Sequence, residues 1–430
     1  MKLLVIGSGG REHALVWKLS QSRRVSKIYC LPGNAGTGLL AENADIPIRS
    51  IKKILQFVKE KKIDLTLVGP EAPLIAGLSD LFRQNKLLLV GPSKAAARLE
   101  GSKVYAKNLM RKYGIPTAKY AVFKNLYKAR RFARLQTFPL VIKADGQCFG
   151  KGVAVCKSYS EASNFLEKIL KKRIFGSSGS KVIIEECLSG QEVSFMAATD
   201  GFNFVTLLPC QDHKRARDGD RGPNTGGIGA YAPIPFLNKE TVKMIEKTII
   251  APTIKAMREE GKTYQGILYP GLILTELGPY VLEYNCRFGD PETQPLMMLM
   301  KTDLMEVLLA ITGKKVGSLK MEWRKGYSAC VILTAKGYPG KYLTDMVVNE
   351  PKKTAENLQI FYAGAKREME QIVTTGGRVM AVCSYALTLG SAIDKAYDSI
   401  GQKDIYFKNM QYRKDIGQKG LQKKLWENLE

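Results

Sequence analysis

The stretch Tyr280-Val-Leu-Glu-Tyr-Asn-Cys-Arg-Phe-Gly-Asp-Pro-Glu-Thr-Gln294 runs from apolar to polar by presenting a carboxylate, an amide and a guanidinium at alternate positions. Side chains alternate across a strand, so Glu283, Asn285 and Arg287 are expected on one face. A carboxylate and an amide oxygen two residues apart suit a hard, oxygen-seeking cation such as Mg²⁺. The Arg beyond them suits a phosphate or carboxylate held in a fork. Such a face reads as a phosphoryl-transfer site, the alternative being a solvated polar face with a surface ion pair. The Gly-Asp-Pro turn that follows brings Asp290 and Glu292 back toward the strand end, which favours the functional reading.

Three further segments carry chemistry. Ala144-Asp-Gly-Gln-Cys-Phe-Gly-Lys-Gly-Val153 is a glycine-punctuated loop between expected strands 140–143 and 153–156. Its backbone N–H groups can close on phosphate oxygens while Lys143 and Lys151 supply charge. It is not a Walker loop, because Gly-Lys is followed by Gly and no helix begins there; it reads as a lid, or else as a plain hairpin tip. Residues 182–185 form an apolar strand that turns acidic into Glu186-Cys-Leu-Ser-Gly-Gln-Glu192. That pattern resembles a nucleotide hinge in which backbone groups read an adenine edge and Glu192 takes ribose hydroxyls. The long polar segment Gln211 to Gly229 mixes both charges with glycines, and the strands on either side favour an ordered functional loop over a disordered insertion.

The elements that must position these residues begin with an apolar strand at 2–6, the turn Gly7-Ser-Gly-Gly10 and a helix at 11–20, the opening of a doubly wound α/β domain with an anion-ready helix start. A dinucleotide is disfavoured. Glu12 stands where the third glycine of Gly-x-Gly-x-x-Gly belongs, and the second strand, 28–31, ends in Pro32-Gly-Asn-Ala-Gly-Thr37 rather than an acid. A helix at 51–61, a strand at 64–68, the turn Gly69-Pro-Glu-Ala-Pro73, a further helix and a strand at 87–90 continue the alternation. Ligands bind at the C-terminal ends of such strands, which makes Asn34, Thr37 and Glu71 candidates for gripping substrate, each with a plain turn role as the alternative. Beyond a boundary near Pro116 come a small α/β unit, one strand at 193–198, one helix at 239–259, strands at 268–274 and 280–285, one helix at 295–312 and, from Tyr327, a separate strand-rich unit.

Composition narrows the class. With 45% hydrophobic and 25% charged residues, the chain has the profile of a soluble multidomain protein. It contains no apolar run of transmembrane length and its first residues turn polar too soon for a signal peptide, so a cytoplasmic location without membrane contact is expected. Eight cysteines are scattered without Cys-x-x-Cys spacing, and the two histidines, His13 and His213, leave no histidine-rich metal site. The net charge of +26 raises nucleic-acid binding, but the cations are spread along the chain and no nucleic-acid motif accompanies them. No nucleic-acid partner is expected.

Assembled, these motifs resemble the ATP-grasp enzymes and, within them, the phosphoribosylamine-glycine ligase family. The resemblance rests on Gly-Gly-Arg-Glu-His-Ala at 9–14, Val-Gly-Pro-Glu-Ala-Pro-Leu at 68–74, Leu-Glu-Gly-Ser-Lys at 99–103, Gln-Asp-His-Lys-Arg at 211–215, Gly-Pro-Asn-Thr-Gly-Gly at 222–227 and Asn-Cys-Arg-Phe-Gly-Asp-Pro-Glu-Thr-Gln at 285–294. It implies an α/β and α+β multidomain fold: an N-terminal doubly wound substrate domain (1–117), an ATP-grasp lid (118–192), a central grasp domain (193–325) and a small strand-rich C-terminal domain (326–430). It implies that Glu283 and Asn285 hold Mg²⁺ or Mn²⁺, that Lys103, Lys143 and Lys151 meet ATP phosphates, and that Glu185, Glu186, Leu188 and Glu192 surround adenosine. For the small substrates it implies Gly10, Asn34, Thr37, Glu71, Asp212, Lys214, Thr225, Gly226, Gly227 and Arg287, with Arg287 and Lys143 taking part in catalysis. One departure is Gln147-Cys148-Phe149, where the family usually has Leu-Ala-Ala. The implied reaction joins glycine to 5-phosphoribosylamine through glycyl phosphate, with ATP as energy source, in a monomeric enzyme of purine biosynthesis. Cations, metal ligands and backbone donors without a protein nucleophile are what phosphoryl transfer requires. Another ATP-grasp carboxylate-amine ligase, a nicotinamide oxidoreductase and a nucleic-acid binder are the rival readings.

Overall fold

A computed structural model describes residues 1–148, 152–351, 354–401 and 404–422. The N-terminal part is a five-stranded parallel sheet in the order Glu42–Asn43, Lys27–Pro32, Lys2–Gly7, Leu65–Val68, Leu89–Val90. Apart from the short exposed edge strand Glu42–Asn43, its strands are nearly continuous apolar runs because helices cover both faces. The direction of winding reverses beside Lys2–Gly7, so a crevice opens at the carboxyl ends of Lys2–Gly7 and Leu65–Val68. The expected turn at 69–73 is instead the start of a helix, Glu71–Ala76. Pro73 is tolerated because N–H groups of a first turn have no intrahelical partner anyway.

The unit expected as the lid is a four-stranded antiparallel sheet ordered Tyr120–Phe123, Val182–Glu186, Leu140–Ala144, Val153–Cys156. Helices Leu126–Arg134 and Tyr159–Leu170 cover one face and share a small core of their own, including Ala133, Ile142, Leu166 and Ile184. The opposite face, carrying Lys143 and Glu185, looks toward the rest of the molecule.

The central sheet is built on Gly266–Thr275, flanked by Gly278–Asn285 and by Gln191–Ser194 and Ala197–Thr199, so the strand expected at 193–198 is interrupted in its middle. Pairing shifts by one between Gly271↔Glu283 and Leu272↔Val281, leaving Leu282 as the extra residue of a bulge. Helix Lys239–Glu259 is continuous but widens to a π-turn at Glu246–Ile250, just before Pro252, which has no N–H to give. The single helix expected at 295–312 is two, Thr293–Leu299 and Leu304–Thr312. Met300 turns extended and the Asp303 side chain caps the second by accepting from Met305 N at 2.9 Å.

The strand-rich C-terminal sheet takes in the polar segment: Gln211–Asp212 and Gly229–Ala232 continue it beside Tyr327–Ala335, Arg378–Ala386 and Leu358–Tyr362. The N-terminal sheet is tied to this unit through a neutral imidazole. His13, 2% exposed, accepts the Tyr362 N–H on Nδ1 at 2.9 Å and stacks on the Tyr362 ring.

Candidate active site

The bulge at Leu282 shapes the face that carries Glu283 and Asn285, the residues expected to hold a metal. It turns the Leu282 carbonyl to accept from Lys143 Nζ at 3.0 Å and leaves Glu283 and Asn285 facing the cleft between lid and central sheet. Arg287 joins them, its Nη2 donating to Asn285 Oδ1 at 3.1 Å. It is not the open anion fork its spacing suggested. Nε donates to Glu71 Oε2 at 3.2 Å, Nη2 to Glu100 Oε1 at 3.3 Å and Nη1 to the Phe288 carbonyl at 3.2 Å. An anion reaching Arg287 therefore competes with two carboxylates. Burial alone would raise Glu71, but the Arg287 guanidinium takes it below the ordinary carboxylate range; for Glu100 burial prevails and its affinity for a proton rises. Gln147 of the glycine loop reaches the same group, donating to Glu71 Oε1 at 3.2 Å.

Across the cleft, Glu185 lies between two lysines. Lys143 Nζ and Lys107 Nζ each approach one of its oxygens at 2.5 Å, and all three side chains are less than a tenth exposed. Lys107, absent from the expected site, also donates to Thr117 Oγ1 at 2.7 Å; its position four residues after Lys103, on one helix face, was the available signal. Burial lowers the Lys107 pKa despite the Glu185 charge. Lys103 Nζ points at the Gly146 carbonyl (3.4 Å), and Asp145 is pinned to the same helix start by Ser102 Oγ and Val104 N, both at 2.8 Å. Lys151 lies outside the described residues. In the segment expected as a nucleotide hinge, Glu186 accepts from Lys119 N at 2.8 Å, Leu188 is half-buried, and the exposed Glu192 pairs with Lys214 at 2.8 Å. With its side chain turned inward to the lysines, Glu185 offers the hinge only its backbone.

The N-terminal crevice is filled by Glu12. Its carboxylate accepts from Gly9 N and Arg11 Nε, both at 2.6 Å. A Cβ on Gly69 would sit 1.9 Å from Glu12 Oε1, so only glycine fits against it. A carboxylate there repels the pyrophosphate that a dinucleotide would bring to this helix start. Gly10 abuts Gln294 Nε2, 2.8 Å from where a Cβ would stand. Asn34 and Thr37, expected to grip substrate, instead build the loop. Asn34 Nδ2 donates to the Ser8 and Tyr362 carbonyls at 2.9 and 2.7 Å while its Oδ1 accepts from Gly36 N and Thr37 N at 2.9 Å. Thr37 Oγ1 donates to Asn43 Oδ1 at 2.9 Å and accepts from Asn34 N at 2.7 Å. Any substrate contact from this loop falls to its backbone.

The polar segment is ordered. Thr225 N and Oγ1 donate to the Lys214 carbonyl at 2.8 and 2.9 Å. Gly227, at φ +101°, lies where a Cβ would stand 2.3 Å from Pro291 and 2.9 Å from Asp212 Oδ1. That Asp212 oxygen is buried with no hydrogen bond among the described residues, and burial together with the Glu292 charge raises the acid's pKa. Asp290 is drawn not toward Glu283 and Asn285 but to Arg378, at 2.6 Å, and Glu292 is buried against Ser194 and Tyr269. Arg378 was passed over in sequence because Thr-Gly-Gly-Arg reads as an ordinary turn.

The residues present fit a divalent cation used together with a nucleotide. The Glu283 carboxylate accepts no hydrogen bond among the described residues. Burial would raise its pKa, yet Lys214, Lys103, Lys143 and Arg287 together lower it, so it stays ionised. Asn285 Oδ1 gives one lone pair to Arg287 and keeps another. Among the described residues no group of three or more His, Cys, Asp or Glu side chains is placed to hold a metal, so Glu283 and Asn285 would share the ion with phosphate and water oxygens, as Mg²⁺ sites commonly do.

Comparison with known proteins identifies the family to which the chain is similar. Family models described as phosphoribosylglycinamide synthetase match the N domain at 1–100, the ATP-grasp (A) domain at 101–293 and the C domain at 328–419. The phosphoribosylamine–glycine ligase of Caldanaerobacter subterraneus subsp. tengcongensis is 46% identical over 416 residues, 97% of this chain and 99% of that protein. The crystal structure of phosphoribosylamine–glycine ligase from Thermotoga maritima superposes with a TM-score of 0.84 at 35% identity, covering 97% of this chain and 100% of that one. The biotin carboxylase domain of Hydrogenobacter thermophilus 2-oxoglutarate carboxylase, solved with MgADP, shares the fold at a TM-score of 0.75 and 17% identity over 96% of this chain and 91% of that one. From its N-terminal sheet to its C-terminal unit, the chain belongs to the phosphoribosylglycinamide synthetase, or phosphoribosylamine–glycine ligase, family.

Proposed function

We propose that the chain joins glycine to 5-phosphoribosylamine at the expense of ATP, giving glycinamide ribonucleotide, ADP and phosphate, as a monomeric cytoplasmic enzyme of purine biosynthesis. The observation that carries this reading is Glu283, which accepts no hydrogen bond among the described residues and is kept ionised by the nearby charges of Lys214, Lys103 and Lys143. A Mg²⁺ or Mn²⁺ ion held by Glu283 and Asn285 would neutralise charge developing on the transferring phosphoryl group.

The lysine pair around Glu185 has a chemical use. A buried carboxylate left alone is costly, so a single lysine could not leave it for a phosphate without penalty. With Lys107 also paired to Glu185, Lys143 is released to ATP while the carboxylate keeps a partner. Glycine's carboxylate oxygen then attacks the γ-phosphorus, the bond to the β-phosphate oxygen breaks, and ADP departs. The amine nitrogen of phosphoribosylamine attacks the carbonyl of glycyl phosphate, and phosphate leaves as the C–N bond forms. No protein nucleophile is needed, and Cys286 beside the site is 1% exposed with a thiol pKa raised by burial. Gln147, bound to Glu71, holds the described part of the glycine loop over the cleft, which supports exclusion of water from the mixed anhydride. ADP release assayed with glycine and phosphoribosylamine each omitted in turn tests the reading. Full turnover with either omitted contradicts it.

A further inference from the structure

We propose that Arg378 and Tyr338 of the C-terminal unit form a clamp on Gly226 that positions the Thr225–Gly227 turn for the non-nucleotide substrates, making both of them positioning residues for the ligation step. The inference rests on the ligase reading above. Arg378 opens strand Arg378–Ala386, and its guanidinium spans two segments of the site. Nη2 donates to Asp290 Oδ2 at 2.6 Å, while Nη1 donates to the Gly226 carbonyl at 2.5 Å and lies 3.2 Å from the Asp290 carbonyl. Tyr338 takes the other end of the same residue, its hydroxyl accepting the Gly226 N–H at 3.1 Å. The Tyr338 ring reaches that place by lying on Gly377, where a Cβ would stand 2.2 Å from ring carbon Cδ2. Gly377 of Thr375-Gly-Gly-Arg378 thus admits the tyrosine, and the arginine completes the grip.

What the clamp holds is the turn that orders Lys214 and Asp212. Thr225 binds the Lys214 carbonyl twice, and Gly227 is wedged between Pro291 and Asp212 Oδ1 with no room for a side chain. A shift of Gly226 is therefore passed to Lys214, whose charge acts on Glu283, and to Asp212, whose Oδ1 has no hydrogen-bond partner among the described residues. Neither clamp residue hydrogen-bonds to Lys103, Lys143 or Glu185, so the nucleotide side is separable. Lysine at 378 can reach Asp290 or the Gly226 carbonyl but cannot fork to both.

Steady-state kinetics of Arg378→Ala, Arg378→Lys and Tyr338→Phe test the clamp, with amide formed and phosphate released measured in the same reaction. A misplacement of about 1 Å costs on the order of 100-fold in rate, so Arg378→Ala is expected to lose that much in kcat/KM for glycine and phosphoribosylamine. KM for ATP stays within about two-fold, and phosphate released per amide rises as the activated intermediate is hydrolysed. Arg378→Lys recovers part of the loss. Tyr338→Phe, which removes one hydroxyl and keeps the ring on Gly377, shows the same pattern in milder form and speeds hydrogen exchange of the Gly226 amide. Parent-like kinetics in Arg378→Ala overturn the proposal, as does a proportionate loss toward all three substrates with the phosphate-to-amide ratio unchanged. Should the parent itself form no amide from these substrates, the ligase reading falls, and the clamp is judged by Gly226 exchange alone: an unchanged rate in Tyr338→Phe overturns it.

Discussion

Removing the charge of Glu185 should destabilise the protein more than removing either lysine that flanks it. Glu185, Lys107 and Lys143 have side-chain exposures of 2%, 3% and 7%, and the carboxylate is 2.5 Å from each ammonium. In Glu185→Gln the amide oxygen can serve one lysine, but its NH₂ then faces the other cation. Taking one partner from a buried ion pair costs about 3–5 kcal/mol, and here two ammonium groups are left without their counter-charge. Lys143→Met or Lys107→Met leaves Glu185 one cation, so the loss is closer to that of charged hydrogen bonds, about 1.5–3 kcal/mol. The two effects interact: adding Lys107→Met to Glu185→Gln should restore about 1–3 kcal/mol relative to the sum of the single changes. The pH dependence has a definite sign. Burial already lowers the Lys107 pKa, and without Glu185 it falls further, so in alkaline solution the unfolded chain binds protons the folded one does not. The Glu185→Gln deficit should then shrink as pH rises toward the unfolded lysine value of about 10.5. Urea unfolding read by hydrogen exchange at the amides of Leu140–Ala144 and Val182–Glu186 measures this where the residues lie. A Glu185→Gln variant within about 0.5 kcal/mol of the parent would refute the reasoning.

Glu283→Gln should fold normally and lose several kcal/mol of transition-state stabilisation, at least about two decades in rate at saturating ATP and Mg²⁺; an unchanged rate in the folded variant excludes Glu283 as a metal ligand. Both histidines are buried, and desolvation lowers each pKa to about 3. Below the unfolded value near 6.5 only the unfolded chain takes up these protons, so stability falls with pH, by about 2 kcal/mol per histidine at pH 5. Neither imidazole should titrate in an NMR series from pH 7.5 to 5, and a midpoint near 6.5 for either one contradicts the burial.

The sequence disclosed the elements that obey a simple period and the residues whose chemistry is local. The N-terminal strands and the face of Glu283 and Asn285 follow from apolar runs and alternation. Pro73 misled because its position rather than its presence decides, a proline in a first helical turn looking like a loop, whereas Lys301-Thr302-Asp303, three polar residues between two apolar runs, was a legible break that the single expected helix passed over. The partners of the charged residues were the least legible. Arg287 reads as a fork awaiting an anion, yet Glu71 and Glu100, 216 and 187 residues earlier, arrive to hold it. Asn34 and Thr37 have the composition of substrate contacts, and only the fold shows their polar atoms turned back on Gly36, Asn43 and Tyr362. Arg378 was invisible for the same reason, since Gly226 is brought to it by a sheet that joins distant strands and Asp290 by the helix Thr293–Leu299 packed on that sheet.

The account stands on activation of glycine's own carboxylate, and isotope transfer tests that most directly. With glycine carrying ¹⁸O at both carboxylate oxygens, attack on the γ-phosphorus places one labelled oxygen in the bridge of glycyl phosphate, and expulsion by the amine sends that oxygen out with phosphorus. Each turnover should deliver one ¹⁸O atom to inorganic phosphate and leave the other in the amide product. Unlabelled phosphate accompanying amide formation would contradict the account.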